Sequence, residues 1–293
     1  MQIVSNREQM MEIARDARLA NRRIGFVPTM GALHAGHLSL VRAGREKCDV
    51  IVVSIFVNPT QFNRAEDLNS YPRDLERDTE LLAAENVDYV FAPPAEAIYP
   101  TGFSTYVTVE QLTDKLEGAA RPGHFRGVTT VVAILLNIVR PDFAFFGQKD
   151  AQQAIVIKQM ARDLAFETEI IVLPIVREAS GLAMSSRNEH LNHEELRAAT
   201  VLHQALSKAR VAYERGEQNG RRLTEMVRAV IESEPLARVD YVSINDAETL
   251  EELDGIGDRP ALLSLAAFVG KTRLIDNVVL AKSDKQDAAV ARG

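Results

Sequence analysis

The chain is poor in the features that mark secreted, membrane-spanning and nucleic-acid-binding proteins. It has one cysteine, Cys48, which excludes an internal disulfide and favours a reducing, cytoplasmic location. No apolar run approaches the ~18–20 residues that a membrane-spanning helix needs, and no basic start followed by a long apolar core indicates a signal peptide. With 34 basic against 41 acidic residues and no long basic run, we expect neither a nucleic-acid partner nor a membrane partner.

What remains is the composition of a soluble globular enzyme. Hydrophobic residues make up 46% of the chain and charged residues 26%, and no internal repeat or low-complexity tract interrupts it. A length of 293 residues is enough for a sizeable core and for two domains.

Apolar runs alternate with helical patterns through about residue 176. Strands are predicted from β-branched and apolar runs at 24–27, 49–57, 88–91, 143–146 and 168–176. Helices are predicted between them, including one from Pro72 to about Glu85, and the alternating stretch 104–109 is predicted to be an extended excursion. This alternation is typical of a doubly wound, Rossmann-like α/β domain with a parallel sheet.

The pattern changes after residue 176. Helices are predicted over 193–215 and 223–232, and strands over 239–244, 261–269 and 273–280. We interpret 1–176 as the Rossmann-like domain, 177–281 as a smaller α+β lid domain and 282–293 as a disordered tail. The G-K-T at 270–272 resembles the end of a phosphate-binding loop, but Leu265 stands at the first glycine position, which favours a hairpin turn.

The stretch 27–39 leads from a predicted strand through a glycine-containing loop into a helix. The free N–H groups and dipole at such a helix start favour an anion. His34 and His37 are three residues apart, so both can point into the same anion site at the start of the helix. There they could donate hydrogen bonds to a polyphosphate whose negative charge grows as it is displaced. Two alternatives stay open: a turn with two surface histidines, and a zinc pair, for which no nearby cysteine or acidic third ligand is visible.

Three further polar segments accompany the predicted sheet. The segment 58–62 follows the second strand and 147–150 follows the fourth, at the edge where parallel sheets bind ligands. The segment 121–127 carries Arg121, His124 and Arg126 and is predicted to be a loop before an apolar helix. Its charge fits either a solvated loop or a role beside the expected anion site.

Taken together, six segments closely resemble the pantoate–β-alanine ligase (pantothenate synthetase) family of the HIGH-motif nucleotidyltransferase superfamily. They occur in the family's order, and they are VPTMGALHAGH at 27–37, SIFVNPTQF at 54–62, YPR at 71–73, RPGHFRG at 121–127, FGQKDAQQ at 146–153 and GLAMSSRN at 181–188. The H-x-G-H element alone is shared with other nucleotidyltransferases and class I tRNA synthetases, whereas the full set is highly specific.

The resemblance implies an enzyme that joins pantoate to β-alanine with ATP and Mg²⁺ through a pantoyl-adenylate, releasing pyrophosphate and AMP. It also implies that the first domain binds nucleotide and pantoate, and that the chain forms a homodimer through this domain. Mg²⁺ is expected to be held mainly by the ATP phosphates, with Asp78 as the candidate protein ligand.

The resemblance also implies residue roles. His34 and His37 would stabilise the departing pyrophosphate, with His37 at the position of the family's proton donor. Lys149 suits the α-phosphate as a point charge, and Arg187 suits the β- and γ-phosphates. Gln61 and Gln153 would bind pantoate as neutral amides. The predicted ATP contacts are Met30, Gly31, His34, His37, Gly147, Gln148, Lys149, Asp150, Val176 (through its backbone), Met184, Ser185, Ser186 and Arg187.

Some positions depart from the family's usual pattern. Gln148 stands where glutamate is common, Ala151 where an aromatic residue is common, and Ala179 with Ser180 where an acidic residue is frequent. None is assigned to chemistry, so these departures bear on loop packing or nucleotide affinity.

Three competing functions are less consistent with the residues. A nucleotidyltransferase that passes AMP or CMP to a phosphorylated acceptor would call for more cationic contacts than Gln61 and Gln153 provide. A nucleotide-sensing binding protein would not require the intact set of His34, His37, Lys149 and Arg187. A tRNA synthetase is disfavoured by the acidic charge and by the lack of an anticodon-binding extension. For the segment 121–127, two interpretations stay open: a gate for the substrate and a structural role.

Overall fold

The computed structural model describes residues 1–63, 68–69 and 71–282. They form two compact units, the first being Met1–Glu178 with Ala183–Ser186 and the second Ala179–Leu182 with the chain from Arg187 onward. Apart from Lys282, the predicted tail at 282–293 lies outside the described residues. The lid role expected for 177–281 stays a prediction.

A six-stranded parallel sheet forms the centre of the first unit, which confirms the predicted doubly wound α/β class. Its strands follow the order β1-β4-β3-β2-β5-β6, and they are β1 (Gln2–Val4), β2 (Ile24–Thr29), β3 (Val50–Ile55), β4 (Tyr89–Phe91), β5 (Phe143–Gly147) and β6 (Glu169–Leu173). The strands that follow β2 in the chain are placed on both sides of it. The direction of winding therefore reverses beside β2, which is where open α/β sheets bind ligands, at the carboxyl ends of their strands.

Seven helices accompany this sheet in the described part of the first unit. They are α1 (Arg7–Leu19), α2 (Ala35–Lys47), α3 (Leu75–Ala84), α4 (Ala95–Ile98), α5 (Leu116–Ala120), α6 (His124–Val139) and α7 (Ala151–Asp163). Short 3₁₀ turns lie at Pro59–Gln61 and Gln148–Asp150. Asn6 caps helix α1, because its carboxamide oxygen accepts from the Gln9 N–H at 2.8 Å. Helix α6 is apolar around nearly its whole circumference and is correspondingly buried.

The stretch 104–109 lies outside both described sheets, as predicted for an excursion from the main sheet. Two details of this unit differ from the sequence prediction. Helix α3 begins at Leu75 and not at Pro72, since the Asp74 carboxylate caps it by accepting from the Arg77 N–H at 3.0 Å. The segment 121–127, predicted to be a loop, already contains the first turn of α6 from His124.

The second unit contains an antiparallel sheet of β7 (Ala237–Asp246), β8 (Ala261–Val269) and β9 (Thr272–Leu280). Helices α8 (His193–Glu214) and α9 (Gly220–Glu232) contribute with this sheet to one apolar core. Val269 of β8 pairs with Thr272 of β9, so Gly270 and Lys271 connect the two antiparallel strands. This confirms that the G-K-T sequence is part of a hairpin turn. Among the described helices, none is long and apolar enough to cross a membrane.

Candidate active site

Three segments that the sequence singles out for ligand binding leave the sheet side by side. The loop that leads from β2 to His34 and His37, here called the histidine loop, follows β2. The 3₁₀ turn Pro59–Gln61 follows β3, and the 3₁₀ turn Gln148–Asp150 follows β5. Strands β3, β2 and β5 are consecutive neighbours, so their carboxyl ends lie on one edge next to the reversal of winding. The fold therefore assembles residues that are more than 80 positions apart in the chain.

The loop after β2 is held from beneath by a buried carboxylate. Both Asp78 oxygens accept backbone N–H groups, from Ala32 at 2.9 Å and from Leu33 at 2.8 Å. Gly31 and Ala32 have φ values of +85° and +51°, and a Cβ on Gly31 would lie 2.8 Å from an Asp78 oxygen, so this close approach requires glycine. With 1% of its surface exposed, Asp78 is placed to fix the loop, which goes against its predicted role as a magnesium ligand.

The two histidines are oriented by the start of helix α2. His34 is the N-cap residue, and its Nδ1 accepts from the Gly36 N–H at 3.1 Å. The His37 Nδ1 accepts from the His34 N–H at 3.3 Å, and the two ring centroids lie 4.2 Å apart. Because both Nδ1 atoms are acceptors, we assign the proton of each neutral ring to Nε2. Each ring therefore offers a neutral Nε2–H donor.

The electrostatic surroundings of His37 connect the histidine loop with the turn after β5. Burial, followed by the neighbouring His34 ring, lowers the pKa of His37 to about 3. The charge of Asp150 raises this pKa and that of Lys149 lowers it further, so both residues act on the same ring. The Lys149 Nζ lies 3.6 Å from an Asp150 carboxylate oxygen. His37 is therefore an uncharged donor at neutral pH beside the Lys149 cation.

The turn after β3 brings Gln61 to the start of the histidine loop. The buried Gln61 carboxamide accepts from Asn58 Nδ2 at 2.9 Å, and its own Nε2 lies 3.1 Å from the Met30 sulfur. The Tyr99 hydroxyl donates to Asn58 Oδ1 at 2.8 Å. Asn58 thus orients the Gln61 amide, a role that depends on side-chain contacts within the segment 58–62 and is not visible in the sequence.

Two adjacent glutamines at the start of α7 have different surroundings. Gln152 is buried and anchors a loop, because its Nε2 donates to the carbonyls of Leu112 and Lys115 and its Oε1 accepts from the Glu117 N–H. Gln153, the predicted pantoate residue, is half-buried. The anchoring role of Gln152 is not visible in the sequence, because neighbouring positions on a helix give no sign of which one faces a loop.

Two of the predicted nucleotide contacts near the end of the first unit, Val176 and Met184, are hydrogen-bonded to each other. The Met184 N–H donates to the Val176 carbonyl at 3.0 Å, so these two residues lie side by side. Ser185 and Ser186 belong to the first unit and are half-buried, whereas Arg187 is exposed and belongs to the second unit.

The described residues do not support a zinc site. They contain no group of three or more histidine, cysteine, aspartate or glutamate side chains that could hold a metal ion. The Nδ1 atoms of His34 and His37 already accept backbone N–H groups. The zinc alternative therefore lacks a third ligand in this part of the chain.

Comparison with known proteins identifies similar chains. The family model described as pantoate-beta-alanine ligase matches residues 2–279. The chain is 56% identical over 280 residues to pantothenate synthetase of Pelotomaculum thermopropionicum, covering 96% of this chain and 99% of that protein. It is 59% identical over 257 residues to that of Roseiflexus castenholzii, covering 88% and 92%.

Two solved structures are also similar. Pantothenate synthetase of Thermus thermophilus superposes with a TM-score of 0.89 at 43% identity, covering 96% of this chain and 100% of that one. The pantoate-beta-alanine ligase of Francisella tularensis, complexed with beta-gamma ATP and β-alanine, has a TM-score of 0.77 at 38% identity, covering 95% and 97%.

Proposed function

The chain belongs to the pantoate–β-alanine ligase family, and we propose how its residues divide the reaction among them. It is an enzyme that condenses pantoate with β-alanine at the expense of ATP, through a pantoyl-adenylate, to give pantothenate, AMP and pyrophosphate. One observation carries the division of roles. Two neutral Nε2–H donors and the Lys149 cation are assembled at the sheet edge where the winding reverses.

In the first step, the pantoate carboxylate attacks the α-phosphorus of ATP while the bond to the pyrophosphate oxygen breaks. Negative charge then moves onto the leaving phosphates and the α-phosphoryl oxygens. Preorganised donors act most strongly where such charge develops. We assign His34 and His37 to the departing phosphates through their Nε2–H groups, and Lys149 to the α-phosphate. The pKa of His37, lowered to about 3, favours hydrogen-bond donation by a neutral ring over proton transfer from an imidazolium.

Gln61 and Gln153 are proposed to hold pantoate. Gln61 is fixed by Asn58, so its donor Nε2 is preorganised next to Met30. A neutral amide can bind the hydroxyl and carboxylate groups of pantoate while leaving the carboxylate nucleophilic. The second step is then attack of the β-alanine amine on the acyl carbonyl, with AMP as the leaving group, and it requires little beyond alignment.

Mg²⁺ is proposed to enter on the ATP phosphates. The carboxylate previously considered for it, Asp78, is buried and accepts two backbone N–H groups. Binding mainly through substrate phosphates is common for this ion, which retains several waters. The bound ion would neutralise part of the phosphate charge. His34, His37 and Lys149 would stabilise the charge that is left.

The order of the two steps gives a direct test of the function. Pantoate alone should support exchange of labelled pyrophosphate into ATP in the presence of Mg²⁺, because adenylation precedes any need for the amine. β-Alanine should be required only for the release of AMP and pantothenate. The measurement is isotope exchange with and without each substrate. Exchange that depends on β-alanine would contradict the adenylate scheme, and ADP as the product would indicate an acyl-phosphate ligase.

A homodimer through the first unit is the assembly we propose. The extended stretch 104–109 has one backbone edge bound to α6, where the Val107 N–H donates to the Thr130 hydroxyl at 3.0 Å and its carbonyl accepts from Thr129 at 2.6 Å. Backbone groups alternate in direction along an extended chain, so those of the exposed Tyr106 and Thr108 point the other way. Two copies can pair these edges antiparallel about a twofold axis.

The backbone edge can be tested with matched substitutions at one position. Thr108→Pro removes an outward N–H and should convert the dimer into a monomer in light scattering at micromolar concentration. Thr108→Ala keeps the N–H and should leave the dimer intact. A wild-type monomer would refute the dimer, and a dimeric Thr108→Pro variant would refute pairing through this edge.

A further inference from the structure

The segment 121–127 packs against the back of the 3₁₀ turn that carries Gln61. A Cβ on Gly127 would lie 2.5 Å from the Thr60 carbonyl oxygen and 2.7 Å from the Gln61 nitrogen. Only glycine therefore permits the first turn of α6 to approach the backbone of the 3₁₀ turn this closely. Asn58 spans the same contact, because its Nδ2 donates both to the Gly127 carbonyl at 3.1 Å and to the Gln61 side chain.

His124 contacts the main chain of Gln61 at this junction. Its Nδ1 lies 2.9 Å from the Gln61 carbonyl oxygen. A carbonyl can only accept, so Nδ1 carries the proton and Nε2 is left as an acceptor. The Arg121 Nη1 lies 3.4 Å from that Nε2, and the Arg121 Nη2 lies 3.4 Å from the same Gln61 carbonyl. His124 thus uses the opposite tautomer from the one assigned to His34 and His37.

We propose that His124, oriented by Arg121, is a positioning residue that fixes the main chain of Gln61 while Asn58 fixes its side chain. The inference rests on the proposed role of Gln61 in binding pantoate. It replaces the two alternatives for 121–127 with one assignment: His124 is only 8% exposed, so it supports the pantoate site from behind and is not a gate. Arg126 is engaged elsewhere, with its guanidinium 3.6 Å from the centre of the Tyr106 ring.

The charges around His124 agree with this tautomer. Burial, followed by the Arg121 guanidinium, lowers the pKa of His124 to about 4, whereas the hydrogen bond to the Gln61 carbonyl, followed by Asp150 and Glu117, raises it. The ring is therefore neutral at physiological pH, and its Nε2 can accept from Arg121. Protonation of Nε2 would place two cations against each other and would weaken the support of Gln61.

Substitutions at His124 separate positioning from general stability. Asn can donate from near the Nδ1 position, whereas Gln places its amide near Nε2 and Phe removes both groups. We expect His124→Gln and His124→Phe to raise the KM of pantoate about tenfold to 10²-fold, since weakening one hydrogen bond between Gln61 and the substrate costs about that much. The KM of ATP should change by less than about threefold, and His124→Asn should restore the KM of pantoate to within about fivefold. His190→Gln, an exposed change in the second unit, is the control.

Two measurements complete the test. Long-range ¹H–¹⁵N spectra of the full-length wild type should show His124 as the Nδ1–H tautomer, without titration above about pH 5, and an Nε2–H tautomer would overturn the assignment. Gln61→Ala should itself raise the KM of pantoate. If it does not, the proposed function of Gln61 fails. If it does while His124→Gln leaves the KM of pantoate unchanged, or His124→Asn raises it as much as His124→Phe, the positioning inference alone fails.

Discussion

Replacing Lys149 by alanine is expected to lower pantoate-dependent ATP–pyrophosphate exchange by about 10³-fold, while the Kd of ATP changes by only a few-fold. The side chain is 18% exposed, and its Nζ forms an ion pair with Asp150 at 3.6 Å, which holds the cation near the site. In the proposed role, its attraction for the α-phosphoryl oxygens grows as pantoate attacks. The lysine should therefore act on the transition state far more than on bound ATP.

The measurement for Lys149 combines exchange kinetics with equilibrium binding of ATP. Lys149→Arg keeps the charge but presents a planar fork, and we expect it to recover only part of the exchange rate. Lys158→Ala, an exposed change on α7, is the matched control. If ATP affinity fell in parallel with the exchange rate, Lys149 would be a ground-state anchor and the assignment to the transition state would be wrong.

The architecture was predictable where the hydrophobic pattern was long and continuous. The run at β3 is buried at five successive positions, and β8 is buried at all but one, so their composition alone indicates strands. The three-residue strand β1 was missed, because a segment this short becomes a strand only by pairing with β4, which lies more than 80 residues away. The start of α3 was misplaced because proline and aspartate both favour a helix start, and the Asp74 cap prevailed over Pro72.

The site was predictable as a set of motifs but not as a set of contacts. The histidine loop, Gln61 and Lys149 each belong to a recognisable segment, and the structure places these segments after neighbouring strands of the sheet. The roles of Asp78 and His124 could not be predicted, because each side chain contacts backbone groups 45 or more positions away in the chain. The periodicity of side chains in the sequence does not indicate such contacts. The two tautomers of the site histidines likewise follow from local hydrogen bonds that only the folded chain displays.

The second large effect is expected at His37, where two amide substitutions separate hydrogen-bond donation from proton transfer. Asn reaches only the Nδ1 position, so His37→Asn should slow adenylation by about 10²–10³-fold, as the loss of one preorganised donor predicts. Gln can place an N–H near the Nε2 position, so His37→Gln should lose only about tenfold. Single-turnover formation of pyrophosphate measures both. If His37 acted by giving up a proton, the Gln variant would be as slow as the Asn variant, because an amide cannot protonate a leaving group.

The lowered pKa of His37 supplies an independent check. Burial and the His34 ring lower this pKa from 6.5 to about 3, so between these values the unfolded chain binds a proton at this position that the folded chain does not. The free energy of unfolding should therefore fall as the pH falls through this interval, and the fall should be smaller in His37→Gln. The same lowered pKa predicts the pH dependence of kcat/KM for ATP, which reports the free enzyme. Near pH 6.5, the wild type should show no inflection that is absent from His37→Gln. Such an inflection would mean that the ring is protonated in the working enzyme, and the role of a neutral donor would have to be replaced by that of an acid.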